Sequence, residues 1–191
     1  MTALNFDYQK MTKINRRGFV VWLTGLSGSG KSTIANALEK ILTAQKYPCC
    51  VLDGDKLRAG LSSDLGFHNR DRSENIRRTA EVAKLFLGHN FVVIVAFISP
   101  YKKDRDRAKK IVGRKQFIEV YCDAPLSVCE ERDTKGLYQK ARSGKIKEFT
   151  GVSDPYEAPA KPDLKIDTGS SSIKSCVKDI EDFLKKKKFI T

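Results

Sequence analysis

Lys31 and Ser32, set behind Gly25, Gly28 and Gly30, are the residues whose types and spacing imply chemistry most directly. The stretch Gly25, Leu26, Ser27, Gly28, Ser29, Gly30, Lys31, Ser32 fits G-x-x-x-x-G-K-[ST] without mismatch, and Thr33 continues it. Glycines allow a turn that side chains would obstruct, so several backbone N–H groups can converge on phosphate oxygens. A helix beginning there points its positive end at the same place. Lys31 can then reach β- and γ-phosphates, and the Ser32 hydroxyl is placed to ligate Mg²⁺. The implied chemistry is nucleotide binding; the bland alternative is a tight turn.

The elements around the loop agree with this. Phe19 to Thr24 reads as a buried strand, and after the loop Ile34, Ala37, Leu38, Ile41 and Leu42 recur at helical spacing. Cys49 to Leu52 is a second strand, with Asp53-Gly54-Asp55 at its carboxyl end, where open parallel sheets bind ligands. Asp71-x-x-Glu74 looks like a capping box opening a helix with Ile76, Ala80, Ala83 and Phe86/Leu87 on one face. Phe91 to Phe97 reads as a central strand covered on both faces, ending in Ile98-Ser99-Pro100-Tyr101. Gln116 to Cys122 and Leu164 to Asp167 complete the strands, and an amphipathic helix carrying Ile173, Val177, Ile180 and Phe183/Leu184 closes the chain. The expected fold class is α/β, a three-layer sandwich of the P-loop nucleoside triphosphate hydrolase type around a parallel five-stranded sheet. Residues 1–17 read as a polar N-terminal arm and residues 18–191 as one kinase domain, with the basic, glycine-punctuated segment 132–151 as a mobile lid. Such a lid suits a small-molecule kinase, which must keep water from the γ-phosphate.

Composition narrows the class. The chain has 191 residues, enough for one α/β domain with a full core. Its formal charge of +13 suits anionic substrates or nucleic acid, yet no RNA-binding pattern, zinc spacing or recognition helix accompanies the lysine clusters, so no nucleic-acid partner is expected. Five cysteines without a secretory signal argue for a reducing compartment and buried thiols. No stretch approaches the ~18 apolar residues of a membrane span, so no membrane partner is expected. A cytoplasmic location is expected; the weakly basic N-terminus leaves organelle import open.

Several further motifs occur in order: WLTGLSGSGKST from Trp22, LDGD from Leu52, ENIRR from Glu74, AEVAKLF from Ala80, FISPY from Phe97, KGLYQKAR from Lys135 and FTG from Phe149. In these, from about Gly18 to Glu157, the chain resembles the adenylylsulfate kinases, which use ATP to phosphorylate the 3′-hydroxyl of adenosine 5′-phosphosulfate. The resemblance implies that Asp55 is the catalytic aspartate, orienting or deprotonating the attacking hydroxyl, and that Asp53 holds Mg²⁺ through water; a cap or turn is the alternative for both. It implies that Arg58, Arg72 and Asn75 hold the phosphosulfate substrate, as guanidinium forks suit oxyanions, and that Phe67 and Phe149 sandwich its adenine. Ile98, Ser99 and Tyr101 match a stretch lining the substrate site. A phosphorylated-serine intermediate is also implied for Ser99, but in-line transfer needs none, so contact is the expected role. Lys135, Gly136 and Leu137 resemble lid residues that close on the substrate. Arg132 and Arg142 are placed on the ATP side, stabilising the transferring phosphoryl group or the adenine, with a basic surface helix as the alternative. His68 and His89 are read as bystanders. The resemblance further implies a homodimer and functional coupling to a separate ATP sulfurylase.

Two positions depart from the family pattern: Lys56 stands where asparagine is common, and Glu148 where glycine is usual before Phe149. Residues 1–48 contain no cysteine, so the N-terminal redox switch of the plant members is not expected. Two other readings compete. A shikimate, gluconate or nucleoside kinase would share Lys31, Ser32 and Asp55 without needing both phenylalanines. A basic nucleic-acid module would bind oligonucleotides with steep salt dependence and no turnover.

Overall fold

The six residues of β1 (Phe19–Thr24) are all buried, because this strand is central to the sheet and covered on both faces. Its side chains alternate between two cores. Phe19, Val21 and Leu23 join a cluster with Ile34, Leu38 and Leu42 of α1 (Lys31–Ala44) and Ile180 and Leu184 of α7 (Ile173–Lys186). Val20 and Trp22 point the other way, toward Ile76, Ala80 and Ala83 of α3 (Asn69–Leu87) and Ala108 and Val112 of α4 (Lys102–Val112). The period-two alternation of the strand thus specifies a sandwich of three layers. The structure, a computed structural model, describes residues 17–191. Apart from Arg17, the expected N-terminal arm lies outside the described residues.

The sheet is fully parallel, in the order β2-β3-β1-β4-β5, with β2 at Cys49–Asp53, β3 at Val92–Ala96, β4 at Phe117–Asp123 and β5 at Leu164–Asp167. In register, Val21 lies beside Ile94 on one side and Ile118 on the other. The loop leaving β1 feeds α1 on one face, while the loop leaving β3 feeds α4 on the opposite face. Between the carboxyl ends of β1 and β3 the connections therefore diverge and leave a crevice. The two ends are tied together there, since the Thr24 hydroxyl donates to the Ile98 carbonyl at 2.7 Å.

One local expectation needs correction. The helix expected to open at Asp71 begins at Asn69, and Asp71 accepts from the Gly66 N–H at 2.9 Å instead of capping it. Glu74 does not reach back, because Arg77 and Arg78 bind it and hold its carboxyl down at about 2. Gly54 opens a short helix, α2 (Gly54–Arg58), and Asp53 takes the cap role named as its alternative, accepting from the Asp55 N–H at 3.0 Å.

Residues 132–151 contain the end of α5 (Leu126–Arg132) and α6 (Leu137–Arg142). Cys129, Tyr138, Ala141 and Phe149 form a small third core there, with Leu26 of the glycine-rich loop packed against it. The Tyr138 hydroxyl donates to the Ser27 carbonyl at 2.9 Å, joining this segment to the loop.

Candidate active site

The glycine-rich loop has the backbone that its sequence demands. Gly28 has φ +75°, and a Cβ there would meet the Cys129 carbonyl oxygen at 2.9 Å. Gly30 has φ +87° and stands at the N-cap of α1 without a side-chain cap, which leaves the first-turn N–H groups for a ligand. The Lys31 ammonium lies across the loop, donating to the carbonyls of Gly25 at 2.9 Å and Leu26 at 2.6 Å. Burial holds it down at about 8. An incoming phosphate would replace two neutral carbonyls with an anion.

The Ser32 hydroxyl donates to Asp53 Oδ2 at 2.6 Å, while Asp53 Oδ1 accepts from the Asp55 N–H. Two hard oxygen donors thus lie side by side where α1 meets the end of β2, the chemistry that Mg²⁺ prefers, and water and phosphate can supply its other ligands. Residues Ser32 and Asp53 fit that ion. Asp55 stands beyond them, 70% exposed in its side chain, ion-paired with Lys135 from the segment before α6.

Ser99 ends the crevice on the β3 side. It is buried, with φ +46°, a conformation unusual outside glycine. Trp22 Nε1 donates to its hydroxyl at 2.9 Å, and Arg105 donates to its carbonyl at 2.7 Å. The serine is held from the core.

One cleft of about 990 Å³ joins these groups. It is lined by Ser27, Gly28, Gly30, Lys31, Ser32 and Thr33 from the loop and α1, and by Asp53, Asp55, Ile98 and Ser99 from the strand ends. Arg58, Phe67, Arg72, Asn75, Arg132, Lys135, Leu137 and Phe149 also line it. Phe149 is buried, with Tyr138 edge-on at 5.0 Å, whereas Phe67 is 62% exposed with the Arg58 guanidinium 4.4 Å from its ring centre. Arg72 links the two aromatic segments, donating to the carbonyls of Phe67 at 2.6 Å and Glu148 at 2.7 Å and to the Thr150 hydroxyl at 3.0 Å. Asn75 is 3% exposed, and its Oδ1 has no hydrogen-bond partner. A buried orphan acceptor on a cleft wall points to a ligand that donates to it.

Some expected site residues stand elsewhere. Arg142 is turned to Glu130 in an ion pair and does not line the cleft, because that carboxylate lies within its reach on α5. Tyr101 donates from its hydroxyl toward Asn69 and Asp154, each at 2.6 Å, and braces the wall from behind. Gly25, Leu26, Ser29 and Gly136 shape the backbone without facing the cleft. Conversely, Thr168, Ser171, Ile173 and Cys176 line its far end, where Arg132 donates to the Thr168 carbonyl at 2.9 Å. Sequence reading missed these four. The rule that drew attention to Asp53 and Ser99, that ligands lie beyond strand ends, also applies to the polar stretch after Asp167.

A parallel sheet whose central strand runs into a glycine-rich loop, with lysine and serine facing a nucleotide-sized cleft, defines a P-loop nucleotide-binding protein. Residues 17–167 match the family model described as adenylylsulphate kinase. The adenylyl-sulfate kinase of Prochlorococcus marinus is 56% identical over 164 residues, 86% of this chain and 82% of that protein. That of Clostridium acetobutylicum is 53% identical, spanning 95% of this chain and 90% of its own. The Mycobacterium tuberculosis APS kinase CysC, solved in complex with AMPPNP and APS, superposes with a TM-score of 0.86 at 46% identity, covering 89% of this chain and 99% of that one. The chain belongs to the adenylylsulphate kinase family.

Proposed function

We propose that the protein transfers the γ-phosphoryl group of ATP to the 3′-hydroxyl of adenosine 5′-phosphosulfate, giving 3′-phosphoadenylyl sulfate and ADP in sulfate assimilation. The observation that carries this reading is the single cleft in which phosphate loop, Asp55 and two aromatic walls follow one another. In it the loop amides and Lys31 hold the β- and γ-phosphates. Asp55 orients the ribose hydroxyl and takes its proton as the new oxygen–phosphorus bond forms and the bond to the β-phosphate breaks. Ser32 and Asp53 would hold Mg²⁺, which when bound would supply positive charge against the charge that develops on the transferring group. Arg58, Arg72 and Asn75 bind the phosphosulfate, and Phe67 and Phe149 flank its adenine. Both rings line the cleft, and the orphan Asn75 oxygen supports a ligand there. Arg132 lies on the ATP side, and residues 132–151 serve as the lid.

We extend the reading to a cytoplasmic homodimer supplied by a separate ATP sulfurylase; the family resemblance supports the dimer and the sulfurylase. Among the described residues no helix is long and apolar enough to cross a membrane. The test is ATP consumption with adenosine 5′-phosphosulfate as acceptor, gluconate, shikimate and nucleosides as controls, and identification of the product. Turnover with a control but not with the phosphosulfate would overturn the reading. Light scattering of the purified protein tests the dimer.

A further inference from the structure

His68 and Glu148, one residue beyond Phe67 and one before Phe149, face each other across 80 residues of sequence, with His68 Nδ1 and Glu148 Oε2 2.9 Å apart. We infer that this pair is a clasp that sets the spacing of the two aromatic walls, making His68 and Glu148 positioning residues for the acceptor. The inference rests on the proposed placing of the acceptor's adenine between Phe67 and Phe149.

The two walls are unequally anchored. Phe149 is buried against Tyr138, and its N–H donates to the Ser153 hydroxyl at 3.0 Å. Phe67 is largely exposed and lies ahead of α3, so its position depends on what holds the chain beside it. Arg72 supplies one tie, through main-chain carbonyls on both sides. The His68–Glu148 contact supplies a second, one residue further along the Phe67 segment and through the side chain, not the carbonyl, of Glu148. With carbonyl and side chain of Glu148 both engaged, Phe67 and His68 are each held to the opposite wall. Asp71 adds a restraint within the segment, through the Gly66 N–H.

The backbone at Glu148 strengthens the case. Its φ is +57°, in the left-handed region that glycine enters freely and other residues enter at a cost. A side chain retained in that conformation, and used to reach the opposite wall, is consistent with a positioning role. The same geometry explains why glycine, usual here in the family, suits the turn.

Steady-state kinetics of His68→Ala, Glu148→Ala and the double variant test the clasp. Alanine keeps a Cβ at residue 148, so the backbone demand is unchanged. Each single variant should raise KM for adenosine 5′-phosphosulfate about two- to fivefold, the range of one exposed hydrogen bond, and leave kcat and KM for ATP unchanged. The double variant should resemble either single one, because each residue acts through the other. Glu148→Gln, which keeps a hydrogen-bond acceptor, should restore part of the loss. Unchanged acceptor KM in both single variants, additive effects in the double, or an equal rise in the ATP KM would overturn the clasp. Wild-type protein inactive toward the phosphosulfate would instead overturn the functional reading, and the clasp with it.

Discussion

Trp22 Nε1 donates to the Ser99 hydroxyl across 2.9 Å, linking the middle of the central strand to the end of its neighbour. The indole has no exposed surface and Ser99 is 2% exposed. A serine engaged by a core N–H, in one cleft with the lysine and aspartate to which the proposed reaction gives the roles of direct transfer, is placed to shape the site. Ser99→Ala should therefore remain active, losing less than about tenfold in kcat/KM. Its stability should fall by about 1–3 kcal/mol, because the Trp22 N–H is left unpaired in the core. Thermal unfolding reads the second effect. Labelled ATP without acceptor should leave no phosphoserine on the wild-type chain; a kinetically competent one at residue 99 would reverse this view.

Lys31→Ala should abolish turnover and leave the fold intact, since the hydrogen bonds of the ammonium all go to groups of its own loop. Near-normal kcat in the variant would misplace the phosphate site.

The same lysine sets a pH dependence. In the free protein burial holds Lys31 at about 8, below its usual 10.5. Phosphates favour the charged form, so ATP affinity should be flat below about pH 8 and weaken above it, with a proton taken up on binding. Fold stability runs the opposite way. Between about pH 8 and 10.5 the unfolded chain binds more protons, so this lysine's burial penalty, full below that window, is relieved as pH rises. Calorimetric titrations in buffers of different ionisation heat measure the uptake. No uptake above pH 8 would refute the assignment.

Asp55→Asn keeps the shape and removes the charge proposed to accept the hydroxyl proton. It should bind ATP normally and lose about 10²–10⁴-fold in kcat. A change confined to KM would make Asp55 a binding residue.

Asn75→Leu exchanges a buried orphan acceptor for an apolar side chain of similar size. The ligand-free protein should gain up to about 1 kcal/mol in stability, while the acceptor KM rises about tenfold. Denaturant unfolding and acceptor titration together check the pair of effects. Loss of stability with unchanged KM would show that the oxygen serves the fold.

Local chemistry made much of this protein legible in its sequence. The loop from Gly25 to Ser32 was readable because its requirements are confined to eight adjacent residues. Strands β1 and β3 were readable because burial on both faces leaves apolar runs bounded by polar turns. Asp53, Asp55 and Ser99 followed from their places beyond strand ends. What spacing along the chain could not decide was which partner each charged side chain would meet. Glu74 looked like a capping residue until Arg77 and Arg78 were seen to bind it. Arg142 pairs with Glu130, and Arg72 reaches Glu148 and Thr150 across more than 70 positions. His68 looked idle and proved to face Glu148. Long polar side chains pair with whatever complementary group folding brings within hydrogen-bond reach, and that distance exists only once the sheet and its loops are assembled.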